Sequence, residues 1–279
     1  MILIQDFSFT YKDEPAPALK NINLSVPDGG FLGIIGPAGA GKTTLARAVS
    51  GLIPHHYPGD FYGSVRVNDM DTVDSSLIDL SRQVGMVFQD VESQIISPMV
   101  EDELLYGLEN FGVPHAEIPE RMEEALQQVG IADLRDRSIA SLSGGQRQKV
   151  AVASIVALKP RILVLDEPTG ELDPFSSRQV FSLLKDLNEN HGITVIIIEQ
   201  KIMLLCEFAR QIAVLRDGSI LRQGDTREIL SHADELEAIG VNCPRVTTFS
   251  RILSEKTGEA LPVCINLDEA EQMVRGMIR

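Results

Sequence analysis

The chain has 279 residues, 44% hydrophobic and 23% charged, and its 25 Lys and Arg against 40 Asp and Glu leave a net charge of −15. That length is too great for a disulfide-stapled miniprotein, and the composition excludes intrinsic disorder. A chain this acidic does not bind nucleic acid or anionic lipid through bulk charge, so any phosphate ligand has to be held by a local device.

In chain order, Phe7, Phe9 and Tyr11 alternate with Ser8 and Thr10, which predicts a strand. The loop KDEPAPALK precedes a second strand at INLSV, and the turn PDGG leads into a fully apolar strand, FLGII. Lys42 to Val49 reads as a helix with Leu45, Ala46 and Val49 on one face. From about Ser93 to Leu158 helical periodicity dominates, as in RMEEALQQVG, where Met122, Ala125, Leu126 and Val129 form a stripe. The apolar strand RILVLDEP follows, then a helix through FSSRQVFSLLKDLNEN, the apolar strand ITVIII, and a hairpin of IAVL and SILRQG joined by Arg216-Asp217-Gly218. Apolar strands without polar alternation, separated by helices, imply an α/β fold with a parallel sheet covered on both faces. After about Thr226 the pattern weakens to short helices with a loop around VNCPRVT.

Cys206, Cys243 and Cys264 are odd in number and far apart, which predicts a reduced, cytosolic protein. The five histidines show no metal-ligand spacing; His55 and His56 are adjacent, and neighbouring side chains diverge. No segment reaches the roughly 18 apolar residues of a membrane helix. The start, MILIQDFSF, has neither a basic stretch nor a small-residue cleavage site, so no signal peptide is expected. Work at a membrane would require recruitment by another chain.

The residues with the clearest chemistry follow FLGII. Gly36-Pro37-Ala38-Gly39-Ala40-Gly41-Lys42-Thr43 fits the phosphate-loop pattern G-x-x-x-x-G-K-[ST], between a strand and a helix. The glycines let backbone N–H groups turn inward onto phosphates, and the helix N-terminus adds its positive end. Lys42 is placed to reach the β- and γ-phosphates and Thr43 to ligate Mg²⁺. The strand Ile162 to Leu165 delivers two carboxylates at its C-terminal end, Asp166 as a Mg²⁺ ligand and Glu167 as general base toward an attacking water. Ser143-Gly144-Gly145-Gln146 opens a second helix whose N-terminus suits an anion. The first loop already wraps the phosphates, so this second motif reads as a cap for the nucleotide on a partner.

GPAGAGKTT, VFQD, LSGGQRQ, ILVLDEP and GELD, in this order, resemble the ATP-binding cassette (ABC) ATPases over about residues 1–225. The resemblance implies a P-loop NTPase fold, with a RecA-like core, an antiparallel β subdomain and a helical subdomain at about 91–158. Residues 226–279 are left as a small C-terminal appendage. It implies ATP and Mg²⁺ as ligands, Thr44 within the nucleotide site, and a head-to-tail dimer with a second ATPase subunit, identical or different. Gln89 is then the glutamine that touches Mg²⁺, Asp173 the D-loop aspartate at the dimer interface, and Tyr11 the aromatic stacked on adenine. Read alone, Gln89 is an exposed loop residue, Asp173 a cap for the helix starting at Pro174, and Tyr11 a third core aromatic.

ESQIISPMVEDELLYGLENFGVP and GLIPHHYPGDFYGSVRVNDMDT resemble, more narrowly, the energy-coupling-factor (ECF) ATPases that power uptake of vitamins and of cobalt or nickel ions. That resemblance implies a peripheral subunit on the cytoplasmic face of the cell membrane. Its partners would be an integral membrane coupling subunit and a substrate-binding membrane subunit, with no nucleic acid. The alternatives are the ATPase of a conventional ABC importer and a soluble non-transport ABC ATPase. One position departs from the family: where members usually carry His after the strand ITVIII, this chain has Gln200. A glutamine amide donates a hydrogen bond but neither becomes cationic nor shuttles a proton. The departure implies slow hydrolysis, or a partner ATPase with a complete second site.

Overall fold

The computed structural model describes residues 1–278. The chain opens with β1 (Ile2–Tyr11), β2 (Leu19–Val26) and β3 (Phe31–Ile35), then α1 (Lys42–Val49) and the single turn α2 (Leu52–His55). Next come β4 (Gly59–Val67), β5 (Met70–Asp71), α3 (Leu77–Ser81) and β6 (Val84–Val87). A helical stretch follows: α4 (Val91–Gln94), α5 (Val100–Asn110), α6 (Ile118–Val129) and α7 (Gly144–Val156). The chain then runs through β7 (Ile162–Asp166), α8 (Pro174–Glu189), β8 (Thr194–Ile198), α9 (Ile202–Phe208), β9 (Gln211–Arg216) and β10 (Ser219–Asp225). It closes with α10 (Thr226–Leu230), α11 (Ala233–Ala238), α12 (Arg245–Thr257) and α13 (Leu267–Met277).

Two sheets result. One is antiparallel in the order β2-β1-β4-β5; the other has the order β10-β9-β3-β8-β7-β6. From β9 to β6 the second sheet is parallel, and β10 is added antiparallel through a tight hairpin. Asp217 and Gly218 both take positive φ there, the requirement of a type I′ turn.

Alternate residues of the parallel strands enter two cores, which is why those strands are apolar throughout. Ile162, Val164, Ile196 and Ile198 pack with Leu45 and Val49 of α1 and with Ile2 and Phe9 of the antiparallel sheet. Leu163, Leu165, Val195 and Ile197 pack with Leu104, Leu126, Val152 and Phe181 from the helices on the other face. The expected stripe on α6, Met122, Ala125, Leu126 and Val129, is buried in that second core.

Sequence reading did not find β4. Only Val65 and Val67 are buried in it, and Gly63 interrupts it at φ 78° opposite a bulge in β1 at Asp6. An exposed, irregular strand carries little of the period-2 signal. The loop expected around VNCPRVT is shorter than expected, because Arg245 already begins α12, which runs for 13 residues. Its Thr- and Ser-rich start lowers helix propensity and hides the pattern. Ile229, Leu230, Leu236 and Val241 join the main core, whereas Cys264, Ala270 and Met273 form a small cluster of their own. Among the described residues no helix is long and apolar enough to cross a membrane.

Candidate nucleotide site

The C-terminal ends of β3, β7 and β8 lie side by side. Ile34 stands opposite Ile198, and Ile198 opposite Asp166. The loop Gly36 to Gly41 leaves β3 at this edge and enters α1 at Lys42. Two of its glycines are required by geometry. Gly36 has φ 151° and a Cβ there would stand 2.1 Å from the carbonyl oxygen of Leu215. Gly41 sits at φ 98° before α1, where a Cβ would meet the carbonyl of Ala18 at 2.6 Å. No side chain caps α1, so its first N–H groups stay available to a ligand. Within the loop Pro37 is half-buried, Ala38 and Gly39 are exposed, and Ala40 is buried.

Lys42 is 7% exposed, and its Nζ donates to the carbonyls of Gly36 and Pro37, both at 2.9 Å. Burial lowers its pKa, and the nearby Glu167 and Asp166 raise it again. Asp166 ends β7 at 3% exposure, and its Oδ1 has no hydrogen-bond partner. Burial pushes its carboxyl above the usual range, while the Thr43 hydroxyl pulls it back and Glu167 raises it further. A buried carboxylate oxygen without a partner, beside a hydroxyl, suits a hard cation with oxygen ligands. Among the described residues no three His, Cys, Asp or Glu cluster as a metal site, so such a cation would rely on mixed donors.

Glu167 takes a left-handed backbone, φ 48°, uncommon outside glycine. Its N–H donates to the carbonyl of Ile198 at 2.9 Å, extending the sheet ladder by one residue. Two amides hold its side chain: Gln89 Nε2 donates to Oε2 at 3.0 Å, and Gln200 Nε2 donates to Oε1 at 2.6 Å. The three residues, expected separately from the sequence, thus meet at one carboxylate. Tyr11 is half-buried rather than a full member of the core. Its ring meets Phe9 edge-on at 4.8 Å, and its hydroxyl pairs with Thr44 Oγ1 at 3.1 Å and accepts from Arg47 at 3.0 Å. Thr44 and Tyr11 are therefore tied directly to one another beside the loop.

Ser143, Gly144, Gly145 and Gln146 open α7, away from the phosphate loop in the chain and on a different element. Gln146 N–H donates to Ser143 Oγ at 3.3 Å and Ser143 N–H to Gln146 Oε1 at 2.9 Å, a capping box. Asp173 caps α8, accepting from the N–H groups of Phe175 at 2.9 Å and Ser176 at 3.1 Å, and from Ser176 Oγ at 2.5 Å. Those bonds hold its carboxyl below the usual range.

The ABC transporter family matches residues 19–170. The chain belongs to the ABC transporter family. Across its whole length the cassette is 38% identical, over 283 residues, to the energy-coupling factor transporter ATP-binding protein EcfA1 of Caldanaerobacter subterraneus subsp. tengcongensis, covering 99% of that protein. Among solved structures it is similar to cbiO1 of Clostridium perfringens, described as part of the ABC transporter complex cbiONQ. The TM-score is 0.76 and the identity 29%, covering 88% of this chain and 96% of that one. It is also similar to the cassette MJ0796 in a dimeric, post-hydrolysis state with ADP and Pi. There the TM-score is 0.69 and the identity 29%, covering 81% and 99%. The ECF-type resemblance read from the sequence therefore extends over the entire cassette, and ATP hydrolysis is the chemistry of its family.

Sequence reasoning missed Arg47, Thr169, Glu199 and Lys201 around this ABC site. Arg47 lies over the ring of Tyr57 at 4.2 Å while holding the Tyr11 hydroxyl. Glu199 carried a signal that was available: an acid directly after four buried apolar residues needs partners. Lys201 carried none.

The ionised form of Asp166 is disfavoured in the nucleotide-free protein, since its folded pKa lies above its unfolded value. The stability linked to this group is present below the ordinary aspartate range and is lost as pH rises through the raised folded value. Asp166→Asn should therefore raise the melting temperature of nucleotide-free protein at pH 7. Thermal unfolding at several pH values should show the gain shrinking as pH falls toward the aspartate range; an unchanged or lowered Tm at pH 7 contradicts the electrostatic reading.

Proposed function

We propose that this cassette hydrolyses ATP to drive ECF-type uptake of a vitamin or a transition-metal ion. It works as a head-to-tail dimer with a second cassette on the cytoplasmic face of the cell membrane. One integral membrane subunit receives its motion and another binds the solute. The hydrolysis in that reading is supported by the convergence of Gln89 and Gln200 on Glu167, at the strand end that adjoins the phosphate loop, and the ECF-type uptake by the full-length similarity to an ECF transporter ATP-binding protein.

The residues divide the chemistry. Backbone N–H groups of Gly36, Pro37, Ala38, Gly39, Ala40 and Gly41, with those of Lys42, Thr43 and Thr44 at the start of α1, wrap the triphosphate. Lys42 exchanges its two carbonyl acceptors for phosphate oxygens, and Tyr11 offers a ring to adenine. Thr43, Asp166 and Gln89 would hold Mg²⁺, which would supply charge neutralisation at the phosphates. Asp166 Oδ1, without a partner inside the protein, fits that duty. Glu167 accepts the proton of the attacking water as the γ-phosphoryl group leaves ADP. Gln89 and Gln200 orient that carboxylate, and Gln200 also offers a donor toward the γ-phosphate. Ser143, Gly144, Gly145 and Gln146 present the N-terminus of α7 to the nucleotide of the second cassette, and Asp173 lies at the dimer interface. We divide the chain into the cassette at 1–225, its helical subdomain at about 91–158, and an appendage at 226–279.

Lys42→Ala should lose tight ATP binding, because the phosphates lose a charge-assisted donor. Glu167→Gln should bind ATP but turn it over very slowly, and should shift to a longer-lived dimer with ATP and Mg²⁺ in light scattering. Unchanged affinity in the first or the parental rate in the second overturns the corresponding assignment.

Gln200 lacks the positive charge that would best match the transition state. Removing one well-placed transition-state donor costs about 10²–10³ in rate, and a glutamine retains part of that. Gln200→His should raise kcat by about tenfold, with little change in ATP affinity, and Gln200→Ala should lower it. Steady-state ATPase assays that leave both variants within twofold of the parent would remove Gln200 from the γ-phosphate.

A further inference from the structure

A buried carboxylate and a half-buried ammonium flank Gln200. Glu199 is 1% exposed. Its Oε1 accepts from the N–H of Thr169 at 3.0 Å and from the Thr169 hydroxyl at 2.5 Å. Its Oε2 accepts from the N–H groups of Gln200 at 3.2 Å and Lys201 at 3.3 Å. Lys201 reaches the same loop from the other side. Its Nζ donates to the carbonyls of Thr169 at 2.5 Å and Leu172 at 2.7 Å, and to Ser177 Oγ at 3.3 Å. An ammonium has three donors, and all three are used.

The loop these charges grip runs between Glu167 and Asp173. It is short and internally bonded: Gly170 N–H donates to the Glu167 carbonyl, and Leu172 N–H to the Thr169 carbonyl, both at 3.1 Å. A shift at 169–172 therefore moves Glu167. The other side of the grip moves Gln200, whose backbone N–H rests on Glu199 and whose amide rests on Glu167. None of these bonds belongs to the sheet, since β7 ends at Asp166 and β8 at Ile198.

Burying charge is costly unless every lone pair and proton is satisfied, and a satisfied network is rigid. Rigidity has a use at this place. Glu167 holds a left-handed backbone at φ 48°. Such a conformation persists only where the surroundings over-determine it.

We propose that Glu199 and Lys201 are positioning residues for hydrolysis: together they clamp the 169–172 loop to the 199–201 turn and fix the orientation in which Glu167 receives the water's proton. The clamp rests on the reading of Glu167 as general base. Neither residue touches nucleotide; both act through Thr169, Gln200 and Glu167.

The test compares steady-state ATP hydrolysis and ATP binding by calorimetry in the full chain, with any partner cassette present at fixed ratio. Lys201→Met and Glu199→Gln should each lower kcat by about ten- to a hundredfold, the scale of a slightly misplaced catalytic group. The ATP dissociation constant should stay within about twofold of the parent. Lys201→Arg, which keeps charge and donors, should recover most of the rate. The double variant should fall no further than the worse single one, because the two charges act as one clamp. If either Lys201→Met or Glu199→Gln stays within twofold of the parental kcat while Glu167→Gln is nearly inactive, the clamp is overturned and the base assignment stands. If Glu167→Gln hydrolyses at the parental rate, the base assignment fails and the clamp falls with it. Loss of ATP binding in Lys201→Met would assign the lysine to the folding of the whole site, which also overturns the proposal.

Discussion

The parallel hydrogen-bond ladder of β3, β8 and β7 brings three distant parts of the chain to one edge of a sheet. Ile34 faces Ile198 and Ile198 faces Asp166, so the phosphate loop, the acidic pair and Gln200 all leave the sheet at the same level. The bond from Glu167 N–H to the Ile198 carbonyl carries the ladder past the strand end into the site itself. Ligands of open α/β sheets bind at the carboxyl ends of the strands for this reason. Slipping one strand by a residue would turn its apolar side chains to the wrong core and carry its functional end out of register.

That arrangement also answers the electrostatic problem set by composition. A chain with net charge −15 needs local donors to hold a polyanion, and the 36–43 loop offers backbone N–H groups and the buried Lys42. Lys42 illustrates the economy of the design. It donates to the carbonyls of its own loop, so the buried ammonium has acceptors. Asp166 is the opposite case, a buried acceptor left open. Such groups trade stability for function, and they concentrate where ligands bind.

Much of this was legible in the sequence. The phosphate loop, the apolar strand ending in Asp166-Glu167 and the capped helix at Ser143 depend on local patterns: glycine spacing, apolar runs and cap residues. The parallel sheet followed from strands without polar alternation. What was not legible is long-range. β4 buries only Val65 and Val67 and is broken at Gly63 opposite the β1 bulge, so its pairing with β1 left only a short alternation to read. The meeting of Gln89 with Glu167 spans 78 residues, and that of Glu199 with Thr169 spans 30. No spacing rule links such residues; only the strand order places them together. Asp173 shows the converse limit, since its cap on α8 accounts for its residue type without reference to any partner.

The most direct measurement is a structure of the Glu167→Gln chain with ATP and Mg²⁺, alone or with the cassette that copurifies with it. It should show Lys42 Nζ moved from the Gly36 and Pro37 carbonyls onto the phosphates. The metal should lie against Thr43 and Asp166, with Gln200 facing the γ-phosphate. The helix N-terminus of the second cassette that corresponds to α7 should close the site from the other side. A triphosphate bound away from the 36–43 loop, or a loop that leaves Lys42 on its own carbonyls with nucleotide present, would contradict it.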